Sequence, residues 1–180
     1  YILPESLQPL LREFERLMQG MYAKLLVMNS PTELAAVWVV VALVPSVCEE
    51  AVFRGVAQST FENGMRPGRA AAVTGLCFGL YHLYPTQLIP LTAIGIVLGV
   101  AVLRTGSIIP AVVGHLANNT LAVIGEYIHP TAGKETSLFA DPGGATLTLS
   151  TAAGACLFAL CMVLFLRGTR RFPPSPEKEN

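Results

Sequence analysis

Five long apolar segments limit the fold of this chain more than any other feature. They run from Glu33 to Phe61, Pro67 to Tyr84, Thr86 to Leu103, Ser107 to Ile128 and Thr146 to Leu166. Each is close to the ~20 residues that an α-helix needs to cross a bilayer. The composition agrees, because 52% of the residues are hydrophobic and only 13% are charged. We therefore predict an all-α fold, a polytopic membrane helix bundle with about five membrane helices.

The residues before the first apolar segment follow a different pattern. Between Leu7 and Leu26, apolar residues recur at helical spacing with charged residues between them. These charges oppose a full membrane crossing, so residues 1–30 are predicted to form an amphipathic surface helix and a linker. The chain begins at Tyr1 rather than at methionine, which predicts an upstream part of a longer chain.

Basic residues in the connections predict the topology. Alternate connections hold Arg66, Arg69 and Arg104, whereas the opposite connections after Phe61 hold only Lys134. By the positive-inside rule, this predicts a cytoplasmic C-terminus, and we expect the protein in the inner (cytoplasmic) membrane of the cell.

Residues 31–167 are predicted to form the membrane domain. Residues 168–180 are charged and proline-rich, which predicts a disordered cytoplasmic tail. Twelve basic residues balance twelve acidic ones, so the chain has no basic field to attract nucleic acid. The predicted partners are the lipid bilayer and a peptide or membrane-protein substrate.

A few ionisable and amide side chains lie inside the predicted spans. They are Glu49, Glu50, Arg54, His82, His115, Asn118 and Asn119. A charge at the centre of a bilayer costs about 2.5 to 3.5 kcal/mol, so each needs a reason. Glu50 and Arg54 lie four residues apart and can pair on one helix face. Glu49 is rotated from Glu50 by about 100° and needs another partner, and Pro45 removes a backbone hydrogen bond nearby.

The other polar residues come from two further segments. His115 and Asn119 share a helix face because they lie four residues apart. The lowest-energy arrangement brings Glu49, His82, His115 and Asn119 together around a polar cavity. Each residue alone also has a structural explanation, such as a clamp or a packing contact, and Asn118 is predicted to hydrogen-bond between helices. Two glycine pairs are predicted to allow close helix approach, Gly75 with Gly79 and Gly95 with Gly99.

Three motifs occur in order on successive apolar segments. They are EEAVFR at Glu49–Arg54, FGLYH at Phe78–His82 and HLANN at His115–Asn119. This set resembles the EExxxR, FxxxH and HxxxN/B motifs of the CPBP family of CAAX-protease and bacteriocin-processing membrane proteins, also called Abi. The resemblance implies an all-helical intramembrane endopeptidase. Within the first motif, Glu50 and Arg54 correspond to the family's supporting pair.

The resemblance also implies a role for each catalytic candidate. Glu49 matches the base that activates water, and His82 matches its assistant. His115 and Asn119 match the residues that bind the water or stabilise the oxyanion. The chemistry is consistent with these roles, because a carboxylate near imidazole and amide groups can activate water and stabilise an oxyanion.

Metal dependence is open at this stage. Glu49, His82 and His115 form a ligand set of the kind found in catalytic zinc sites, so zinc is a candidate cofactor. The chain lacks an HExxH pair on one helix. The family includes members labelled metalloproteases, and a metal-independent glutamate mechanism has also been proposed for it. Because a neutral amide such as Asn119 suits an oxyanion better than zinc, we favour the metal-independent site.

Two other classes of function compete with proteolysis. Intramembrane glutamate and histidine also build ion pathways, which predicts a transport or proton-relay protein, although the sequence has no internal repeat. A non-catalytic member, acting as a scaffold or in bacteriocin immunity, is the second alternative. The three complete motifs favour the peptidase.

Overall fold

The computed structural model describes residues 6, 8–128 and 167–168. These residues form helices and turns with no strand among them, so the all-α prediction is confirmed for this part of the chain. The long helices are α1 (Gln8–Leu25), α2 (Pro31–Glu62), α3 (Pro67–Tyr81), α4 (Leu88–Thr105) and α5 (Ile109–Ile128). A 3₁₀ turn at Pro85–Gln87 precedes α4.

Four of the five predicted apolar segments coincide with α2 to α5. Two of these helices, α2 and α4, are long and apolar enough to cross a membrane. The fifth predicted segment, Thr146–Leu166, lies outside the described residues, as does nearly all of the predicted tail. The number of about five membrane helices therefore stays a prediction.

The N-terminal amphipathic segment is helical, as predicted. Helix α1 spans Gln8–Leu25 and exposes large apolar side chains, among them Leu10, Leu17 and Met21. Such a face suits contact with lipid. Its position on the membrane surface stays a prediction.

Helix α2 alternates between α-helical and π-helical geometry. It begins at Pro31, with the Ser30 hydroxyl accepting from the Glu33 amide at 3.3 Å as an N-cap. Its segments are α-helical Pro31–Val37, π-helical Trp38–Leu43, α-helical Val44–Glu50, π-helical Ala51–Gln58 and α-helical Ser59–Glu62. π-Helical turns occur frequently at functional sites. The short α-helical segment between the two π-helical ones carries both glutamates of the first motif.

Glycines bring α3 and α4 into close contact. A Cβ atom on Gly75 would lie 2.6 Å from the backbone nitrogen of Ile96, and one on Gly95 would lie 2.9 Å from Cα of Gly75. A Cβ on Gly99 would lie 3.1 Å from Cβ of Ala71. The predicted close approach at these glycines is confirmed.

The end of α3 fixes the position of the first histidine. His82 is the C-cap of this helix, and Leu83 follows it with a positive φ of 51°. Such a backbone conformation costs a residue other than glycine about 1 to 2 kcal/mol. The helix therefore stops directly after His82, which leaves the imidazole at the helix end.

The outward face of α2 is apolar. Val52 is 57% exposed and Val56 is 64% exposed, while Phe53 and Arg54, which lie between them, are buried. A helix that turns valines outward and charged groups inward is suited to lipid rather than water. The buried side of α2 thus carries the polar residues of the first motif.

Candidate active site

The second glutamate of the motif lies at the centre of a buried network. Glu50 Oε1 accepts from Arg54 Nη1 at 2.9 Å, as the four-residue spacing predicts. Arg54 Nη2 also donates to the carbonyl oxygen of Gly95 on α4 at 2.7 Å. The side chains of Glu50 and Arg54 are both 0% exposed. This ion pair therefore also joins α2 to α4.

A third partner of Glu50 comes from α5. His115 Nδ1 lies 2.8 Å from Glu50 Oε1, in hydrogen-bonding distance. The sequence analysis predicts that His115 lies near Glu49 and that Glu50 pairs with Arg54, without a contact between Glu50 and His115. The EExxxR spacing contains no signal for this contact, because it depends on how α5 packs against α2.

The first glutamate faces two histidines. Glu49 Oε2 lies 3.9 Å from His82 Nε2 and 3.9 Å from His115 Nε2. The side chains of Glu49 and His82 are 20% and 23% exposed, while that of His115 is 4% exposed. Solvent therefore reaches this cluster of three side chains from the side of Glu49 and His82, whereas the side of His115 is buried.

Hydrogen bonds set the tautomer of both histidines. His82 Nδ1 lies 2.8 Å from the carbonyl oxygen of Phe78, which can only accept, so this nitrogen carries the proton. His115 Nδ1 donates in the same way to the carboxylate of Glu50. Both rings then turn Nε2 toward Glu49, whose Oε2 atom is buried and has no hydrogen-bond partner among the described residues. Each Nε2 atom faces this carboxylate at 3.9 Å, which is beyond direct hydrogen-bonding distance.

Phe78 packs against the groups of the site. Its ring centroid lies 4.7 Å from that of His82 and 5.4 Å from that of His115. The guanidinium carbon of Arg54 lies 4.9 Å from the same ring, within cation–π range. Phe78 is 1% exposed and also contacts Phe53 edge-on. The FxxxH motif predicts the position of Phe78 but not this packing role.

Asn119 has different neighbours from the other catalytic candidates. Its Nδ2 donates to the carbonyl oxygen of Val41 at 3.4 Å, and its Oδ1 accepts from Asn118 Nδ2 at 3.3 Å. The structure thus brings Glu49, His82 and His115 together, while Asn119 lies one turn after His115 and bonds to α2. Within the described part of the chain, the amide of Asn118 donates to its neighbour Asn119 on α5, and a bond from Asn118 to another helix stays a prediction.

The candidate metal ligands lie too far apart for a tetrahedral site. Among the described residues, no group of three or more histidine, cysteine, aspartate or glutamate side chains is placed to hold a metal ion. The donor types of Glu49, His82 and His115 suit zinc, but their 3.9 Å separations exceed the ~3.3 Å between tetrahedral ligands with bonds of 2.0 to 2.1 Å. As placed, these three residues do not fit a zinc ion.

A second polar contact joins α2 to α4. Gln58 is fully buried and donates through Nε2 to the carbonyl oxygen of Gly99 at 3.2 Å and to Glu62 at 3.0 Å. It lies four residues after Arg54, whose acceptor Gly95 lies four residues before Gly99. This repeated four-residue spacing is a sequence signal for the contact of Gln58 with Gly99.

One comparison with known proteins gives a match. The model of a family described as type II CAAX prenyl endopeptidase Rce1-like matches residues 31–121, just over half of the chain. No curated protein and no solved structure matches the sequence. The matched range contains the network of Glu50 and the group around Glu49.

Proposed function

Because the chain belongs to the Rce1-like family of type II CAAX prenyl endopeptidases, we propose that it is an intramembrane endopeptidase in which Glu49 activates a water molecule. The family and the apolar helices make it an integral membrane protein. The observation that carries the proposal is the position of Glu49 Oε2 at 3.9 Å from Nε2 of both His82 and His115.

Peptide hydrolysis needs a base that activates water and a group that stabilises the negative charge that develops on the carbonyl oxygen. Glu49 takes a proton from water while the water oxygen attacks the carbonyl carbon of the scissile peptide bond. His82 Nε2 assists by holding or receiving that proton. The bond between carbonyl carbon and nitrogen then breaks as the proton passes to the leaving nitrogen, which departs as an amine.

His115 and Asn119 are assigned to the oxyanion of the tetrahedral intermediate. His115 with Nδ1 fixed on Glu50 becomes a donor at Nε2 when it takes up a second proton. Asn119 Nδ2 has two hydrogens and donates one to Val41, and the second is the one assigned to the oxyanion. Fixed donors of this kind are worth more in a buried site than in water.

The substrate is proposed from the family and from the exposure of the site. The family name specifies prenylated CAAX peptides, and a lipid-modified peptide would arrive from the bilayer. Glu49 and His82 are the partly exposed members of the group, so the scissile bond would approach beside them. By the positive-inside rule, we further propose an inner-membrane location with the C-terminus in the cytoplasm.

A cleavage assay on the purified protein tests the function. The wild-type protein, reconstituted in vesicles, is incubated with prenylated and unprenylated CAAX peptides, and the products are identified by mass spectrometry. Cleavage by the wild type and loss of cleavage in Glu49→Gln and His82→Ala are expected. A wild-type protein that folds but cleaves neither peptide would contradict the proposal. Proton or solute flux in the same vesicles would then indicate a transporter, and its absence would favour a scaffold or immunity role.

A further inference from the structure

Contacts between the helices show in which direction each one runs. Two successive turns of α2, at Arg54 and Gln58, bond to two successive turns of α4 in the same order, so α2 and α4 are parallel. The end of α3 lies against the start of α4, because a Cβ atom on Gly79 would lie 3.0 Å from the carbonyl oxygen of Leu88. Since the two helices also stay in contact at an earlier glycine of α3, they are antiparallel.

Helix α5 is antiparallel to α2. On α5, His115 contacts Glu50. Four residues later along α5, Asn119 bonds to Val41, which precedes Glu50 on α2. The start of α2 and the end of α5 therefore lie at the same end of the bundle as the α3–α4 connection, residues 82–87. This is the α3–α4 end.

The catalytic group lies where α3 and α4 stop. His82 directly follows α3, and its Nε2 lies 3.9 Å from Glu49 Oε2, so α3 ends at the level of the proposed base. Helix α4 starts a few residues later in the chain. Helix α2 continues from Glu49 back to its start at Pro31, and α5 continues from His115 on to Ile128. Among helices α2 to α5, only α2 and α5 extend past the site toward the α3–α4 end.

The bundle is closed on the other side of the catalytic group. Toward the opposite end, where residues 63–66 connect α2 to α3, the side chains of Arg54, Gln58 and Phe78 are buried. Arg54 and Gln58 bond across to α4, and Phe78 packs against both histidines of the site. A peptide that approached from that end would have to break these contacts.

Exposed apolar side chains flank His82 at the α3–α4 end. Tyr81 precedes it and Leu83 follows it, and both are exposed. The Tyr81 ring centroid lies 5.8 Å from that of His82 and 5.5 Å from that of Phe53. Because Phe53 lies four residues after Glu49 on α2, Tyr81 adjoins both the histidine and the helix that carries the base. A substrate residue held beside Glu49 and His82 would meet these apolar side chains.

We propose that the peptide substrate enters the site over the α3–α4 connection, and that Leu83, with Tyr81, binds an apolar residue next to the scissile bond. This inference rests on the proposed function and adds to it a route of entry and two specificity-determining residues. The apolar chemistry of the substrate follows from the side chains around His82, since burial of apolar surface against them favours binding. Leu83 is the residue to test, because a change at Tyr81 would also move the ring of His82.

The side of entry is tested with one introduced cysteine at each end of the bundle. Leu83→Cys marks the α3–α4 connection, and Gly64→Cys marks the exposed α2–α3 connection. In vesicles of one orientation, a membrane-impermeant maleimide should label the two variants from opposite sides, with the labelled residue located by mass spectrometry. The wild type should cleave a membrane-impermeant peptide only from the side that labels Leu83→Cys. Cleavage from the other side, or no labelling of Leu83→Cys from either side, would overturn the proposal.

Leu83→Ala tests the contact with the substrate. KM should rise by about tenfold, because an apolar side chain that contacts the substrate is shortened. The value of kcat should stay nearly unchanged, because the loss is one of binding. Ile109→Ala is the matched control, since Ile109 is 67% exposed against 68% for Leu83 but lies at the start of α5, at the other end of the bundle. An unchanged KM in Leu83→Ala, or an equal rise in both variants, would overturn the proposal.

A change in the substrate shows whether the contact is direct. A peptide in which alanine replaces the apolar residue next to the scissile bond should have a raised KM with the wild type. With Leu83→Ala, the same replacement should raise KM much less, because the side chain that binds this residue is already shortened. An equal rise in KM with both proteins would reject the contact with Leu83.

Cross-linking separates this inference from the proposed function. A peptide with a thiol-reactive group next to the scissile bond is added to Glu49→Gln proteins that also carry Leu83→Cys or Gly64→Cys. It should link to Leu83→Cys and not to Gly64→Cys. If this link forms but the wild type cleaves no peptide, the route of entry is supported and the peptidase function is rejected. If the wild type cleaves the peptide and no link forms at Leu83→Cys, the function stands and the route of entry is wrong.

Discussion

Glu50 and His115 are in contact at 2.8 Å between Oε1 and Nδ1, although 65 positions separate them in the sequence. Both are buried, and the same oxygen accepts from Arg54. A carboxylate that fixes Nδ1 of a histidine determines the direction of Nε2, an arrangement also used to orient histidines in hydrolases and metal sites. Glu50 therefore links the supporting ion pair to the group around Glu49.

Replacement of Glu50 by Gln should reduce stability more than any exposed charge substitution. The change leaves Arg54 as a buried cation without its counter-charge, which costs about 3 kcal/mol in a buried pair. Differential scanning fluorimetry in detergent should show a lower melting temperature. Cleavage should also fall, because His115 loses the carboxylate that orients it.

Glu13→Gln is the control for this change. Glu13 lies on α1, pairs with Arg16 at 3.6 Å, and its side chain is 60% exposed. Its replacement should alter the free energy of unfolding by no more than about 0.5 kcal/mol. If Glu50→Gln has the same melting temperature as Glu13→Gln, then the buried pair does not stabilise the fold.

Replacement of Glu49 by Gln should have the opposite profile. Glutamine keeps the size of the side chain but cannot act as the base, so the cleavage rate should fall by ~10² or more. The fold should persist, because Glu49 is partly exposed and its Oε2 has no hydrogen-bond partner to lose within the described part of the chain. Cleavage and melting temperature are measured beside Glu50→Gln. If Glu49→Gln keeps full activity and is less stable than Glu50→Gln, the roles assigned to the two glutamates are reversed.

Part of the candidate site was predictable from the spacing of its residues and from the free-energy cost of placing charges in a bilayer. The burial of Glu50 with Arg54 followed from their four-residue separation and from the cost of a charge in a bilayer. The convergence of Glu49 with His82 and His115 on one group was expected for the same reason. The contact of Glu50 with His115 could not be predicted, because local patterns do not reveal how α5 is rotated against α2.

The fold shows the same division between local and tertiary information. Apolar length predicted α2 to α5 with ends that differ from the observed ones by a few residues. The π-helical segments of α2 were not predicted, since hydrophobic periodicity does not distinguish one helical hydrogen-bond pattern from another. Pro45 was a signal for a local opening, and the structure adds that α5 supplies a donor there.

Gly75→Ala should destabilise the bundle. Its new Cβ would lie 2.6 Å from the backbone nitrogen of Ile96, so α3 and α4 would have to separate. We expect a loss of about 1 to 3 kcal/mol, the usual cost of overpacking, measured as a lower melting temperature. Cleavage should fall with stability, because α3 ends at His82.

Gly55→Ala tests whether this effect comes from packing. Gly55 lies in a π-helical segment of α2, and no atom of the described residues lies within 4 Å of a Cβ placed on it. Alanine is the better helix former, so stability should rise by up to about 1 kcal/mol. Equal losses for Gly55→Ala and Gly75→Ala would indicate a general intolerance of alanine and would reject the packing explanation.

Removal of metal should leave the reaction nearly unchanged. Glu49 Oε2 is 3.9 Å from each Nε2 atom, wider than the ~3.3 Å of a tetrahedral zinc site. A neutral amide such as Asn119 also suits an oxyanion better than zinc. The purified enzyme is dialysed against a chelator, its metal content is measured by mass spectrometry, and its rate is compared with that of the untreated enzyme. The control is metal-free enzyme to which zinc is returned. If the rate collapses on chelation and recovers with about one equivalent of zinc, then Glu49, His82 and His115 must close around the ion, and the metal-independent assignment is wrong.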